Sequence, residues 1–357
     1  MQLGIIGLPQ SGKTTLFNAL TRGDRPTEIS GGRVEVHTAV VDVPDGRIDQ
    51  LVKIFVPKKV VHAKVAYADI AGLEGKASEK GISGPLLNTL SQMDAYIHVV
   101  RHFNNPRVPH SAGSVDPQRD FIDMETELIL NDLILVERKL ARLDEELKRG
   151  GLGRDKGLVE RESELFNKLH QLLSNEIPIR NEILTEDEEK MLSSYGLLSR
   201  KPQLVVINQS EDQDSIELKA PFANTKVICM LGKLEMDIAQ LPPDEAEIFL
   251  QEYGIEEPSL NRFIRLSFDL LGQLSFFTAG EKEVHAWTVS QGANAQEAAG
   301  AIHSDMEKGF IRAEVVACQD LIELGGFAEA RQHGKLRLEG KKYIVQDGDV
   351  LTIRFNI

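Results

Sequence analysis

Cysteine is almost missing from this chain of 357 residues, which contains only Cys229 and Cys318. Two cysteines so far apart exclude a disulfide framework or a cysteine-rich metal site, and they fit a reducing, cytoplasmic compartment. Long apolar runs are also lacking, because no stretch approaches the roughly 20 residues of a membrane span. Basic residues are the minority among charges. The formal net charge of −14 argues against nonspecific nucleic-acid binding by the whole surface, although it permits a local basic face.

Short apolar segments that alternate with helical segments organise most of the chain. MQLGIIG has the pattern of a buried first strand, and SGKTTLFNALTRG that of the following helix. Further apolar strands are predicted at AKVAYADIAG, AYIHVV, QLVVIN and KVICML. Apolar strands separated by helices predict an α/β fold with a parallel, doubly wound sheet.

The region from about Phe121 to Arg180 interrupts this order with a helical pattern. Its apolar residues step by three and four, as in a coiled-coil seam, at Leu133, Val136, Leu140, Leu143 and Leu147. After a glycine-rich break, a second stripe follows at Leu165, Leu169 and Leu172 or Leu173. Two helices around a tight break predict an antiparallel hairpin. The hairpin either projects as an arm, which its charged outer faces favour, or packs on the main core.

After about Leu274 the pattern is that of a small α+β module. VHAWTV and FIRAEVV alternate like strands, NAQEAAGAIHSDMEKG suits a helix, and KKYIVQDGDVLTIRFNI predicts two strands around a turn. The stretch KLRLEGKKY is locally basic, with Lys335, Arg337, Lys341 and Lys342. We therefore expect a partner surface on the hairpin and this module together, although solvated surface lysines explain each single residue equally well.

GLPQSGKT matches the phosphate-binding motif G-x-x-x-x-G-K-[ST] in full, between a strand and a helix. The glycines let backbone N–H groups converge on phosphate oxygens, and Lys13 adds a catalytic positive charge on the β and γ phosphates. The Thr14 hydroxyl is a ligand for Mg²⁺. The motif predicts nucleotide binding by Gly7, Pro9, Gln10, Ser11, Gly12, Lys13, Thr14 and Thr15.

The motif D-x-x-G, at Asp69 to Gly72, closes the second main strand. A carboxylate in this place holds Mg²⁺, usually through water, and the Gly72 N–H reaches the γ-phosphate. Thr38 lies between the two motifs and is a candidate second hydroxyl ligand for the metal, or else an exposed loop residue. Leu73 follows the motif where many GTPases have a glutamine, and leucine cannot orient the attacking water.

The residues that follow the fourth strand bear on base specificity. GTPases usually carry N-K-x-D there, whereas this chain has Asn208, Gln209, Ser210 and Glu211. The longer carboxylate of Glu211 does not fit the same paired hydrogen bonds to guanine, and each charged hydrogen bond lost is worth about 1.5–3 kcal/mol. The sequence thus disfavours a true GTPase, although a merely polar loop remains an alternative for these four residues.

Together these motifs resemble the YchF family of Obg-related ATPases, as do FFTAGEKEVHAWTV, EKGFIRAEVV and YIVQDGDV near the end of the chain. The resemblance implies a Ras-like nucleotide domain (1–120 and 200–274), an inserted helical domain (121–199) and a C-terminal β-grasp TGS domain (275–357). It implies base contacts from Asn208 and Glu211, and further contacts in the fifth-strand loop from Met230, Leu231 and Gly232.

The same resemblance implies Mg²⁺-dependent ATP binding and slow hydrolysis, with GTP bound more weakly. The partners that it implies are ribosomes, a ribosomal subunit or RNA, with no membrane and no DNA specificity. His110, in VPHSAG, matches the place of a proposed hydrolytic histidine, although the residues alone also fit an ordinary loop histidine. An ATP-binding regulatory module with little hydrolysis stays open as a second hypothesis, because Leu73 supports it.

Overall fold

The computed structural model describes residues 1–24, 36–70, 82, 84–148, 154–211, 213, 216, 218–219, 225–253 and 255–356. These residues form two compact units, and each unit is built from two segments of the chain. The first unit contains Met1–Ala39 and Tyr67–Leu260, and the second contains Val40–Ala66 and Asn261–Ile357. The division into three domains that the family resemblance implies stays a prediction.

Strands and helices alternate along much of the chain. The strands are β1 Gln2–Ile6, β2 Val36–Asp42, β3 Val60–Val61, β4 Lys64–Ile70, β5 Ala95–His102, β6 Gln203–Gln209, β7 Lys226–Met230, β8 Gln273–Ala279, β9 Val284–Ser290, β10 Phe310–Ala317, β11 Arg337–Glu339 and β12 Asp349–Phe355. The helices are α1 Lys13–Thr21, α2 Gly46–Phe55, α3 Gly84–Ser91, α4 Pro117–Lys148, α5 Lys156–Ser174, α6 Glu186–Leu192, α7 Gly232–Gln240, α8 Pro243–Glu252, α9 Ser259–Leu270, α10 Ala295–Ile302, α11 Ser304–Lys308, α12 Cys318–Leu324 and α13 Phe327–Gln332. A short 3₁₀ helix spans Ile179–Asn181.

The first six-stranded sheet has the order β2-β4-β1-β5-β6-β7. Strands β1, β5, β6 and β7 are parallel neighbours, which confirms the predicted parallel sheet. Strands β5 and β6 are buried along almost their whole length, as expected where both faces of a parallel sheet are covered. Strand β2 was not predicted, because its apolar residues do not follow its alternating burial: Val36 and Val40 are exposed, whereas His37 is half-buried.

The order of this sheet locates a crevice. The strands that follow β1 in sequence, β2 and β4, lie on one side of it and β5, β6 and β7 lie on the other, so the topology switches direction at β1. In open α/β sheets a ligand binds beyond the carboxyl ends of the strands at such a point. The segment between β1 and α1 lies there, and it is the predicted phosphate-binding loop.

Helices α4 and α5 form the predicted antiparallel hairpin. Val136 and Leu143 of α4 are fully buried against Leu165, Leu169 and Leu173 of α5, and the other predicted seam leucines pack around them. Ion pairs also cross between the helices, from Lys139 to Glu162 at 2.7 Å, and near the hairpin tip from Arg154 to Glu146 and Glu162.

The start of α4 packs elsewhere, because Met124 and Leu128 belong to the core of the sheet. One helix of 32 residues, about 48 Å long at 1.5 Å per residue, therefore joins that core to the hairpin. The glycine-rich break between α4 and α5 lies outside the described residues.

The second unit contains a mixed sheet with the order β11-β10-β12-β8-β9-β3. Strand β10 is antiparallel to β11 and β12, and β8 is antiparallel to β9. Strand β12 is parallel to β8, and β3 is parallel to β9. The core gathers Phe276, Val315 and Leu351 with the alanines of α10.

One predicted strand of this module is wrong. Residues of KKYIV form no strand, and Ile344 makes only an isolated bridge to Asn294. A turn closes at Gly340 and Tyr343, and the backbone of the following residues bonds to the segment before α10, through Ala295 to Tyr343 and Val345 to Ala293. This segment thus packs beside a loop instead of pairing with a strand. Within the described ranges, no helix combines the length and the apolar character that a membrane crossing requires.

Candidate nucleotide site

The loop between β1 and α1 has a backbone that only glycine permits at two positions. Gly7 has a φ of 147° and Gly12 a φ of 97°. A Cβ on Gly7 would lie 2.3 Å from the carbonyl oxygen of Val99, and a Cβ on Gly12 would lie 2.0 Å from the side-chain nitrogen of Asn208. A side chain at either position would clash, so both positions require glycine. The absence of side chains there lets backbone N–H groups approach phosphate oxygens.

The remaining loop residues complete a tight turn. Pro9 and Gln10 form its tip, and Gln10 is also left-handed with a φ of 62°. Ser11 is buried, and its hydroxyl oxygen has no hydrogen-bond partner within the part of the chain that the structure describes. A cradle that a Cβ would fill, together with a buried hydroxyl without a partner, fits a phosphate group. Thr15 follows in the first turn of α1.

Lys13 is the first residue of α1 and folds back over the loop. Its ammonium donates hydrogen bonds to the carbonyl oxygens of Gly7, at 2.8 Å, and Leu8, at 2.9 Å. Desolvation lowers the pKa of Lys13 to about 8, while the negative charge of Asp69 acts in the opposite direction. Phosphate oxygens are stronger acceptors than carbonyl groups, so this cation is placed to bind a polyphosphate.

Thr14 and Asp69 come from motifs 55 positions apart, and the structure brings them together. The Thr14 hydroxyl donates to the Asp69 carboxylate over 3.0 Å, and Asp69 is buried at the end of β4. A hydroxyl and a carboxylate are hard oxygen ligands of the kind that Mg²⁺ takes beside phosphate and water. The donor set of this pair thus fits the predicted metal.

The sequence also predicts roles for Thr38 and Gly72 beside this pair. Thr38 lies on β2, where its side chain is exposed, so it is a strand residue rather than a loop residue. Gly72, and Leu73 beside it, lie outside the described residues. The metal-ligand role of Thr38 stays a prediction.

Asn208 connects the phosphate-binding loop to the loop after β7. Its side-chain N–H donates to the carbonyl oxygen of Ser11 over 3.0 Å, and its carbonyl oxygen accepts from the N–H of Gly232 over 3.1 Å. A Cβ on Gly232 would lie 2.6 Å from the same oxygen. Both ends of the buried Asn208 amide are therefore engaged in holding two loops together, a role that the sequence pattern alone did not indicate.

The other predicted base-contact residues lie around this bridge. Met230 is buried at the end of β7, and Leu231 precedes the first turn of α7. Gln209 ends β6, and its side-chain oxygen is buried with no partner in the described part of the chain. Glu211 is exposed in the turn that follows. The Gln209 oxygen is thus an available acceptor close to the loop that the motif assigns to the base.

His110 lies in the loop after β5, and its ring is held away from solvent. Its Nε2 and the Asp120 Oδ2 are 2.7 Å apart, and both side chains are 3% exposed. Its Nδ1 accepts from the N–H of Ala112 over 3.1 Å. No hydrogen bond joins it to Lys13, Thr14 or Asp69 within the described residues.

Two residues that the sequence analysis missed hold this loop. Arg101 is buried at the end of β5, and its guanidinium donates to the carbonyl oxygens of Phe103, at 3.1 Å, and Val108, at 2.7 Å. Desolvation lowers the pKa of Arg101, while Asp120 acts in the opposite direction. Asp120 itself stands ten positions after His110, in the first turns of α4. An Asp in an apolar helix face was the only sequence signal for it.

The basic stretch of the second unit is partly neutralised. Lys335 pairs with Asp320 at 2.9 Å, and it lies outside β11. Arg337 pairs with Glu339 and Asp349 and donates to the hydroxyl of Tyr343. Both cations are therefore engaged by carboxylates, and Lys335 lies outside the strand that contains Arg337. Lys341 and Lys342 are exposed, without a carboxylate partner among the residues described.

Two sequence families match the chain. Residues 2–139 match a family described as 50S ribosome-binding GTPase, and residues 274–356 match the family YchF-GTPase_C, described as a protein of unknown function. The first match includes the phosphate-binding loop, Asp69 and His110. The second covers nearly all of the C-terminal module.

Relatives match over nearly the full length. Proteins named "Ribosome-binding ATPase YchF" are 41% identical in Bacillus subtilis (strain 168), over 366 residues, and 39% identical in Escherichia coli O157:H7, over 363 residues. Each of these matches covers 99% of both proteins. A solved structure, the YchF GTPase of Schizosaccharomyces pombe, superimposes with a TM-score of 0.85 at 29% identity, covering 99% of this chain and 97% of that one. These matches confirm the predicted fold class.

Proposed function

The chain belongs to the YchF family, and from that premise we propose that it is a P-loop switch protein that binds and hydrolyses ATP and associates with ribosomes. One observation carries the proposal: a glycine cradle, the Lys13 ammonium and the Thr14–Asp69 pair meet at the switch point of a parallel sheet. This arrangement supports binding of a nucleoside triphosphate rather than of an uncharged ligand.

In this proposal each residue of the loop has a separate task. Backbone N–H groups between Gly7 and Thr14 hold the phosphates, and Lys13 gives up its carbonyl partners to bind the β and γ oxygens. Thr14 and Asp69 would hold Mg²⁺, with Thr38 as a further hydroxyl ligand, and the Gly72 N–H would contact the γ-phosphate. Bound there, Mg²⁺ would supply positive charge against the negative charge of the phosphates during hydrolysis.

We propose adenine as the preferred base, with GTP bound more weakly. The Asn208 amide is used at both ends by the backbone of Ser11 and Gly232, so its task is to fix the two loops. The buried, unpaired oxygen of Gln209 is an acceptor, which suits the exocyclic amine of adenine, and guanine offers a carbonyl oxygen at that place. Glu211, Met230, Leu231 and Gly232 complete the base-binding region.

A second candidate, a nucleotide-binding regulatory module with little hydrolysis of its own, is favoured by the state of His110. Both of its ring nitrogens have protein partners, and the ring is buried. We propose that His110 is the hydrolytic residue and that turnover without a partner is slow for this reason. The two candidates then differ in whether a partner raises the rate.

The larger organisation follows the family. We propose a nucleotide domain at 1–120 and 200–274, an inserted hairpin domain at 121–199 and a TGS domain at 275–357, in a cytoplasmic protein. The hairpin and the C-terminal module provide the surface for a ribosome, a ribosomal subunit or RNA. The relatives named ribosome-binding ATPases support this partner.

The test of base preference is a parallel titration of labelled ATP and GTP. We expect ATP to bind more tightly, and we expect the double substitution Gln209→Lys with Glu211→Asp to shift the preference toward GTP. Two recovered charge-assisted hydrogen bonds are worth at least about 3 kcal/mol, or roughly 100-fold or more in relative affinity. Ser210→Ala is the matched control. GTP bound by the wild-type protein at least as tightly as ATP would overturn the preference.

Hydrolysis is tested separately by single-turnover assays with and without ribosomes. We expect a slow rate alone and a faster rate with ribosomes, and we expect His110→Ala to remove the stimulation while ATP affinity stays nearly unchanged. That pattern is the signature of an interaction made only in the transition state. An unstimulated rate in wild-type protein supports the regulatory module instead.

A further inference from the structure

The loop after β5 is exposed along most of its length, but the side chain of His110 within it is not. Residues 104–107 and 111–114 are exposed, whereas only 3% of the His110 side chain is accessible. A buried imidazole thus fastens this exposed loop, in addition to the buried guanidinium of Arg101. The fastening point of the imidazole is Asp120 on α4, the helix that continues into the hairpin.

The hydrogen bonds define the tautomer of His110. Because the backbone N–H of Ala112 can only donate, Nδ1 carries a lone pair, and the proton of a neutral ring is on Nε2. Nε2–H therefore donates to Asp120 Oδ2 over 2.7 Å. The other carboxylate oxygen accepts twice from the guanidinium of Arg119, at 2.7 and 3.1 Å. Both oxygens of Asp120 are thus engaged, and both ring nitrogens of His110 have protein partners.

Two further buried carboxylates, Glu125 and Asp132, fix helix α4 in the turns that follow Asp120. Glu125 forms an ion pair with Arg180, and both side chains are almost fully buried. Asp132 accepts from the N–H groups of Leu198 and Ser199, at 2.8 and 2.7 Å. Beyond Asp132, Val136 and Leu143 of the same helix belong to the hairpin core. A displacement of the hairpin therefore reaches Asp120 through one continuous helix, which the apolar contacts of Met124 and Leu128 and these polar contacts hold.

We propose that Asp120 is a positioning residue that holds His110 in an inhibited place, and that a partner acting on the hairpin releases it. The proposal rests on the hydrolytic role proposed above for His110, and it adds the way in which that role is regulated. Hydrolysis is slow while His110 is bonded to Asp120. Movement of α4 breaks the bond, and the ring then reaches the attacking water.

The test uses Asp120→Asn in the full-length protein. The amide keeps the size of the carboxylate but lacks its charge, and a neutral hydrogen bond is weaker than a charged one by about 1 kcal/mol, or roughly fivefold. We expect hydrolysis without ribosomes to rise by about that factor at unchanged KM, and stimulation by ribosomes to fall correspondingly. Asp123→Asn, an exposed site on the same helix, is the matched control and keeps both rates.

The double variant Asp120→Asn with His110→Ala separates the outcomes. The proposal expects it to be as slow as His110→Ala alone, because the gain acts only through His110. If Asp120→Asn is slow or unchanged while His110→Ala is slow, the inhibitory contact is wrong and the hydrolytic role stands. If His110→Ala hydrolyses at the wild-type rate, the proposed role itself fails.

A second measurement needs no substitution. Hydrogen exchange of the backbone amide of Ala112, which is bonded to His110, is followed by mass spectrometry in wild-type protein. Release of the ring removes that acceptor, so exchange in the loop is expected to rise when ribosomes are added. Unchanged or slower exchange, together with ribosome-stimulated hydrolysis, contradicts release. This measurement stays informative if the Asp120 variant does not fold.

Discussion

The two units differ in how they carry charge. The second unit has 16 basic and 16 acidic residues, whereas the first has 25 basic and 39 acidic residues. The whole excess of negative charge is therefore in the first unit. Net charge averaged over a chain hides such a division, and an acidic protein can contain a neutral unit whose local cations meet an anionic partner.

The interior of the two units differs in the same sense. Among the described residues, buried acids, bases and histidines are concentrated in the first unit, where they include Asp69, His98, Arg101, His110, Asp120, Glu125, Asp132, Glu162, Arg180 and Glu235. In the second unit Asp349 is buried. Buried charges are costly unless they are paired, so their concentration marks the unit in which chemistry and pH sensitivity are expected.

The largest expected effect concerns the chemistry that the comparison assigns to the first unit. Lys13→Ala should lower single-turnover ATP hydrolysis by at least about 1000-fold, because no other residue of the motif supplies that charge to the phosphates. Lys53→Ala, in the second unit, should leave the rate within about twofold. Wild-type hydrolysis by the Lys13 variant would exclude this site.

Lowering the pH should destabilise the first unit more than the second. Desolvation, followed by the charges of Arg180 and Lys13, lowers the pKa of His98 to about 3. The unfolded chain therefore binds more protons between pH 3 and 6.5, and stability falls as the pH falls through that window. From pH 6.5 to 5 the loss is about 2 kcal/mol, measured by urea unfolding. Trp287, the single tryptophan, reports on the second unit.

His98→Asn is the variant that isolates this effect. It should show a smaller loss of stability over the same pH range in circular dichroism, while the fluorescence transition of Trp287 stays as in the wild type. His303→Asn, an exposed histidine of the second unit, is the control. Equal pH slopes in wild type and His98→Asn would show that His98 is not the group that titrates.

The smallest expected effect concerns binding of an anionic partner by the second unit. Lys341→Glu with Lys342→Glu should weaken co-sedimentation with ribosomes by about tenfold. It should also reduce the dependence on salt, because binding through fewer phosphate contacts releases fewer counterions. Lys53→Glu with Lys58→Glu makes the same charge change elsewhere in the second unit and should have little effect. Equal weakening by both pairs would indicate general electrostatics rather than a surface.

Much of the first unit could be predicted because its signals are local. The loop from Gly7 to Thr14 is a contiguous motif, the buried strands are continuous apolar runs, and the hairpin seam follows helical periodicity. The Thr14–Asp69 pair was also accessible, because parallel strands place their carboxyl ends at one edge. These features needed no knowledge of distant partners.

The features that were missed depend on contacts with no period in the sequence. The bond between His110 and Asp120 joins a loop to a helix, and the bridge made by Asn208 joins two loops. The strand predicted at KKYIV was wrong, because these residues start in a turn that begins at Gly340 instead of pairing along a neighbouring strand. Nothing in residues 40–66 indicates that they belong with the end of the chain.

The parallel pairing of β3 with β9 has a consequence for synthesis. Val60 pairs with Val284, so a translating ribosome releases β3 long before β9 exists. Contacts this far apart in sequence form slowly, because the chain must close a long loop first. The second unit therefore completes its fold only after the last strand, β12, has left the exit tunnel. Until then the apolar face of α2, with Ile48 and Leu51, lacks the partners that cover it in the folded unit.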